Sequence, residues 1–341
     1  MFESAADNTK GIFDNRDQIA KNALRFNVPF LDAALTGIIP EDLVLFGAPS
    51  GVGKTQLCCN IATAALEDGK KVHYIALEAA HQEIERRLLF PLVFERYLSD
   101  DDRPKLHTKL NYADWYMGKF NKELKPYQDD ALKYFNEGYK DLYLHYKQTN
   151  FTVSTLIETV CSVADHSDLI IVDHLHYFDF GDENENRGMK EIAKTVRDLV
   201  LNHGIPIVLI AHLRKKDRAS KSLCADMEEF HGSSDIYKIA TKVITMAPGR
   251  VTEDGKYETF FRIAKNRLDS GTTRYIAKEY FNPKSGAYET NKFQLGWANE
   301  AGKGKFELLA EQFLPHWAKT SSRNVGKDPV AFEKQCAFVT N

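Results

Sequence analysis

Gly47-Ala48-Pro49-Ser50-Gly51-Val52-Gly53-Lys54-Thr55 is the stretch from which the rest of the chain is read. Leu43-Val44-Leu45-Phe46 runs into it as a short apolar segment, and Gln56-Leu57-Cys58-Cys59-Asn60-Ile61-Ala62 leaves it with helical character. The local order is strand, glycine-rich turn, helix. Ala48 to Thr55 has the spacing of a phosphate-binding loop, which opens on a small residue and closes on Gly53, Lys54 and Thr55. Small residues let consecutive backbone N–H groups turn inward around phosphate oxygens, and the next helix points its positive N-terminal end at the same charge. Lys54 then reaches the outer phosphates and the Thr55 hydroxyl ligates Mg²⁺. The expected triphosphate site comprises Ala48, Pro49, Ser50, Gly51, Val52, Gly53, Lys54, Thr55 and Gln56. A chance glycine turn would not need the correct flank on both sides.

Outward from the loop, three more apolar runs read as buried parallel strands. Val72-His73-Tyr74-Ile75-Ala76-Leu77 ends at Glu78, Asp168-Leu169-Ile170-Ile171-Val172 at Asp173, and Ile205-Pro206-Ile207-Val208-Leu209-Ile210-Ala211 at His212. Between the last two lies a helix with Ile192, Val196, Leu199 and Val200 on one face. This rhythm of strand, helix and strand predicts right-handed βαβ units and an α/β fold with a mostly parallel twisted sheet flanked by helices. Ligands of such sheets gather beyond the carboxyl ends of the strands, so the loop, Glu78, Asp173 and His212 are expected to converge. Asp173 is the expected metal-holding carboxylate opposite Thr55. Glu78 admits two readings, a base acting on the nucleotide or an acid favoured at a helix N-terminus. His174 and His176 read as packing or hydrogen-bonding residues, since no further Cys or His follows at ligand spacing.

Composition bounds the class. The chain has 341 residues, 43% apolar and 27% charged, which suits one α/β domain with additions as well as two domains. A net charge of −3 argues against a wholly basic nucleic-acid coat protein and leaves room for a local basic path. Cys58, Cys59, Cys161, Cys224 and Cys336 are odd in number and unpaired in spacing, as expected of reduced cytosolic thiols. With no apolar stretch long enough to span a bilayer, a soluble intracellular protein without membrane contact is expected.

Three regions lie outside the nucleotide motifs. Residues 1–25 are polar, either a loose arm or an element that docks on a neighbouring subunit. Residues from about 91 to 150 are aromatic, charged and helical in tendency, with no motif. Arg214, Lys215, Lys216, Arg218 and Lys221 follow the His212 strand as a basic run, read as a solvated loop or a nucleic-acid contact, whereas residues 179–186 are acidic. Lys242 to Met246 and Phe260 to Ala264 read as two more strands, and Tyr275 to Phe281 with a turn at Pro283 to Gly286 predicts a closing β-hairpin. The expected division is an N-terminal arm over 1–25, a core over 26–295 and a tail over 296–341.

Taken in order, these motifs resemble the RecA-like motor domain of the DnaB-type hexameric replicative helicases. The likeness rests on Thr36-Gly37 and Pro40-Glu41-Asp42-Leu43 before the loop, the loop itself, Leu77-Glu78 with Glu85-Arg86-Arg87, and Ile170-Ile171-Val172-Asp173-His174-Leu175. Ala211-His212-Leu213, Gly232-Ser233-Ser234-Asp235-Ile236 and Ala264-Lys265-Asn266-Arg267 complete it. The resemblance implies a RecA-like P-loop core that binds ATP and Mg²⁺ between subunits, with Glu78 activating water and His212 sensing the γ-phosphate. It also implies that Lys265 and Arg267 complete a neighbour's site in trans. Single-stranded DNA would thread a homo-oligomeric ring, hexameric in this family, held by Arg214, Lys215, Lys216, Arg218 and Lys221. The acidic 179–186 loop departs from the pattern and is assigned no DNA contact. The length is expected to leave no room for the family's N-terminal helical domain or a fused primase, so a primase or helicase loader would be a separate partner. The context implied is the cytoplasm of a bacterium, or a phage or plasmid. A RecA- or RadA-type recombination ATPase and an ATP-gated assembly protein of the KaiC kind share the fold and remain alternatives.

Overall fold

The structure is a computed structural model that describes residues 4–6, 9, 12–107, 109–146, 150–179, 185–213, 222–225, 230, 234–289 and 293–320. The strands in chain order are β1 (Leu43–Ala48), β2 (Val72–Ala76), β3 (Leu142–Tyr146), β4 (Leu169–Asp173), β5 (Ile207–His212), β6 (Lys242–Val251), β7 (Tyr257–Asn266), β8 (Tyr275–Asn282), β9 (Ala287–Tyr288) and β10 (Gln294–Trp297). They form one sheet in the order β10-β8-β7-β6-β1-β5-β4-β2-β3, with β9 paired to β8. From β6 to β3 every pairing is parallel; β7, β8, β9 and β10 add antiparallel strands at the other side. The expected mostly parallel sheet and closing hairpin are both present.

The period of two along each strand divides the sheet into two packed faces. Val44, Phe46, Tyr74, Ile171 and Ile210 face a layer made by α2 (Pro29–Ala34 in chain order after α1, Ile12–Asn22) and α3 (Lys54–Glu67), through Phe30, Leu31, Leu57 and Ile61. Leu45, Ile75, Ile170, Val172 and Leu209 face the opposite layer. That layer follows α4 (Glu83–Ser99), α5 (Tyr112–Tyr116) and α6 (Asn121–Gly138) in the chain, and is built by α7 (Val153–Val163) and α8 (Glu185–His203). The face of α8 expected to be apolar, Ile192, Val196, Leu199 and Val200, is the face that is buried there. α7 opens on an N-cap, the Thr152 side chain accepting from Thr155 N–H.

The stretch without motifs has an aromatic logic of its own. α4 and α6 pack on each other through Phe90, Phe94, Tyr97 and Leu124, and α4 also packs on α3. The Tyr146 hydroxyl at the tip of β3 donates to Glu85 and accepts from Ile84 N–H, which ties the start of α4 to that tip. At the other end come α9 (Ser234–Ile239), α10 (Ala298–Ala301) and α11 (His316–Thr320). Leu309, Leu314 and Ala318 are buried in the same cluster as Phe30, and the Trp317 ring lies tilted against that of Phe30, 6.1 Å between centroids.

The amino ends of the parallel strands are tied by a buried charge pair. Asp42, just before β1, receives the Lys242 ammonium at the start of β6, the Thr241 hydroxyl at 2.6 Å and Ile39 N–H at 2.9 Å. Each remaining acceptor is occupied, the condition under which a buried ion pair is tolerated.

Candidate active site

Parallel strands joined by right-handed crossovers all end the same way, so β1, β5, β4 and β2 deliver their carboxyl ends to one edge. Ala48 is level with His212 in the β1–β5 pairing, and Ala76 with Asp173 in the β2–β4 pairing. Leu77 N–H then donates to Asp173 O at 2.7 Å, which places Glu78 beside the exit of β4. The phosphate loop leaves β1 at the same edge. Gly51 and Gly53 have φ of 80° and 97°, a region that favours glycine, and α3 begins at Lys54. The loop's turn is therefore made of residues that can adopt it, directly in front of a helix N-terminus.

Lys54 is buried, and its ammonium has three acceptors: Ala48 O at 3.1 Å, Pro49 O at 3.0 Å and His212 Nδ1 at 3.1 Å. Burial lowers its pKa, with Glu78 and Asp173 opposing that shift. Asp173 is 2% exposed; its Oδ2 accepts the Tyr74 hydroxyl at 2.8 Å. Its Oδ1 has no hydrogen-bond partner among the described residues. Burial raises the Asp173 pKa, against the Tyr74 and Thr55 hydroxyls and Lys54, which favour the charged form. A buried carboxylate with one oxygen clamped, the other unpaired and a threonine hydroxyl nearby fits a hard divalent cation. Thr55 and Asp173 are the residues here that can hold Mg²⁺.

The histidines form a chain of contacts whose donors set their tautomers. His174 Nδ1 accepts from His176 N–H at 3.3 Å, His176 Nδ1 accepts from His212 N–H at 3.3 Å, and His212 Nδ1 accepts from Lys54. Each Nδ1 is thus an acceptor, so a neutral ring carries its proton on Nε2. Burial, together with His212, His176 and Lys54, pushes the His174 pKa down to about 3, so that ring is neutral at physiological pH. Its Nε2 stands 2.8 Å from Glu78 Oε2, yet the N–H is not aligned on that oxygen and makes no hydrogen bond. Burial and Asp173 raise the Glu78 pKa, with Lys54 opposing.

Glu78, His174 and His212 bring one ligand atom each within 4.8 Å of one another, the spacing of a metal site. Their surroundings do not suit one. A ligating imidazole donates its other N–H to an acceptor, whereas here the second nitrogens of His174 and His212 face donors. The ammonium of Lys54 beside His212 would also oppose a cation. His174 and His176 each accept a backbone N–H at Nδ1 instead.

Beside the loop lies a cavity of about 300 Å³, lined by Gly51, Gln56, Arg87, Phe90, Tyr257 and Phe281 among others. Gln56 reaches across it from α3, donating to Gly286 O at 3.2 Å in the β8–β9 turn. Flat aromatic walls next to a phosphate loop suit a nucleobase. Tyr257 and Phe281 carry no site expectation from sequence, and Arg87 enters there only as part of Glu85-Arg86-Arg87, with no role assigned. They come from three separate segments with no shared spacing. Tyr74 was also missed, since a tyrosine inside a buried strand reads as core.

Lys265 and Arg267 lie elsewhere. Arg267 N–H donates to Thr241 O and Thr241 N–H to Leu43 O, which sets Arg267 level with the start of β1. The loop leaves the far end of that strand, roughly 15 Å away at ~3.3 Å per residue. Lys265 Nζ is held by Tyr237 O at 2.9 Å and Lys238 O at 2.6 Å, at the end of α9. Neither cation joins its own chain's loop. Arg214, Lys215, Lys216, Arg218 and Lys221 lie outside the described residues, as do 180–184 of the acidic loop. Described on either side are Leu213, bridged to Phe230, and Phe178, packed against Phe151.

The sequence matches the family described as the DnaB-like helicase C-terminal domain over residues 24–285. No curated protein matches it. Among solved structures, the ATPase domain of G40P aligns with a TM-score of 0.65 at 12% identity, over 86% of this chain and 100% of that one. A DnaB-like replicative helicase, described with its interactions with primase, aligns with a TM-score of 0.61 at 11% identity, over 84% of this chain and 67% of that one. At such identities the two structures speak for the fold.

Proposed function

The chain belongs to the family of DnaB-like helicase C-terminal domains, and we propose that it is the ATP-hydrolysing motor of a replicative-type DNA helicase. The subunits form a ring, hexameric in our reading, that moves on single-stranded DNA and hydrolyses ATP between neighbours. One observation carries this: Lys54, Glu78, Asp173 and His212 share one edge of the sheet while Lys265 and Arg267 stand at the other end of β1. A chain with half a site at each end of its sheet completes the site by assembly.

The chemistry follows from the residues. Backbone N–H groups of the loop and the start of α3 hold the phosphates. Lys54 exchanges Ala48 O, Pro49 O and His212 Nδ1 for phosphate oxygens, which frees His212 to respond to the γ-phosphate. Glu78 takes a proton from the attacking water as its oxygen bonds to the γ-phosphorus and the bond to ADP breaks. Thr55 and Asp173 hold Mg²⁺, which when bound offsets charge on the phosphate oxygens. Arg267 and Lys265 of the neighbouring subunit stabilise the transferred group.

DNA backbone phosphates meet Arg214, Lys215, Lys216, Arg218 and Lys221 on the loop after β5. A separate primase or helicase loader is the proposed further partner, and the cytoplasm the proposed location; no helix among the described residues is long and apolar enough to cross a membrane. We keep the division into an arm (1–25), a core (26–295) and a tail (296–341). The test is ATP turnover by the full chain with and without single-stranded DNA, alongside displacement of a forked duplex. Stimulation and displacement support the motor. Turnover stimulated by DNA without displacement moves the reading to a recombination-type ATPase, and the absence of both to an ATP-gated assembly protein.

A further inference from the structure

The inference rests on the reading of Glu78 as the base and concerns what holds it. Its carboxylate is 41% exposed and has freedom to turn. Beside it, the His174 side chain is wholly buried, and its Nε2–H has no aligned acceptor although Glu78 Oε2 is 2.8 Å away. The ring cannot flip to present its other nitrogen without losing the bond from His176 N–H. His176 is itself fixed by His212 N–H from the tip of β5. A rigid, buried N–H therefore faces a mobile carboxylate at contact distance. A small rotation of Glu78 aligns the pair and removes the penalty of a buried donor without an acceptor.

We propose that His174 is a positioning residue for Glu78, its Nε2–H clamping Oε2 so that Oε1 is left to take the proton of the attacking water. A base that pivots spends part of its time out of line with the water, and misplacement of this kind is costly to turnover. An imidazole N–H suits the task because a neutral donor orients a carboxylate with less loss of proton affinity than a lysine or arginine would cause.

His174→Asn and His174→Gln separate positioning from packing. Asparagine keeps an acceptor where Nδ1 meets His176 N–H but does not reach Glu78, whereas the glutamine amide extends to the Nε2 position. Turnover, KM, binding of a fluorescent ATP analogue and thermal melting are measured on the full chain, each variant also combined with Glu78→Gln. H174N is expected to lose roughly 10- to 100-fold in kcat, with analogue affinity within about twofold of the parent and most of the rate restored in H174Q. In the E78Q background neither substitution should change the residual rate. Normal turnover in H174N, no recovery in H174Q, losses that multiply with E78Q, or unfolding of both variants would overturn the proposal and leave His174 a packing residue. Parental turnover by E78Q alone is a different failure: it removes Glu78 as the base, and the clamp with it.

Discussion

The Tyr74 hydroxyl donates to Asp173 Oδ2 at 2.8 Å, from the middle of β2 to the tip of β4, with both side chains buried. Oδ1 of that carboxylate has no hydrogen-bond partner among the described residues. Removing the hydroxyl leaves a second buried, unpaired oxygen. A hydrogen bond to a charged group contributes about 1.5–3 kcal/mol. Tyr74→Phe is thus expected to raise the Mg²⁺ concentration needed for half-maximal ATP turnover by about tenfold or more, with a lesser effect at saturating Mg²⁺. An unchanged Mg²⁺ titration would refute a role for Tyr74 in preparing Asp173.

Arg267 stands at the opposite end of β1 from its own chain's loop and is proposed to serve a neighbour's. Arg267→Ala and Lys54→Ala should each be nearly inactive alone, with losses on the order of 10³-fold or more. Mixed rings should regain turnover, because an interface can pair an intact loop from one subunit with an intact arginine from the other. Turnover is measured across mixing ratios; a flat baseline at every ratio rules out a shared site.

Lys242 and Asp42 form a buried pair at the amino ends of β6 and β1. Lys242→Met strands Asp42 in the core and should destabilise the fold by about 3–5 kcal/mol. The double variant Asp42→Leu with Lys242→Met should recover much of that loss, since no lone charge remains. The check is the denaturation midpoint of the three variants in urea. A double variant no more stable than Lys242→Met would show that the neighbours of Asp42, Thr241 and Ile39, matter more than the ion pair.

The basic run after β5 predicts a salt signature. Replacing Lys215 and Lys216 by alanine should weaken single-stranded DNA binding similarly across sequences. The slope of log K against log salt should fall by about 0.7 per lost phosphate contact. Fluorescence anisotropy at several salt concentrations measures both, and an unaltered slope would remove these lysines from the DNA path.

Much of the fold was legible because it is locally encoded. The apolar runs Leu43 to Phe46, Leu169 to Val172 and Ile207 to Ala211 read as buried strands, and the observed β1, β4 and β5 lie on them. Ile192, Val196, Leu199 and Val200 marked the packed face of α8 in advance. The strand ends carrying Glu78, Asp173 and His212 were expected to meet, and they do. The aromatic packing of α4 and α6 was not legible. Phe90, Phe94, Tyr97 and Leu124 have no spacing that distinguishes packing with one another from packing on the sheet.

The sequence by itself determined the phosphate loop, the order of strands and helices, and the acids and histidine at the strand ends. These depend on periodicity, glycine placement and the chirality of βαβ units, all of which act over short stretches of chain. Tertiary structure alone decided which groups face each other: Ala48 level with His212, Tyr74 on Asp173, and His174 beside Glu78. It also decided that Lys265 and Arg267 stand at the opposite end of β1 from their own loop. Strand register, burial and the direction of each N–H set those relationships, and they arise only when segments distant in the chain pack side by side.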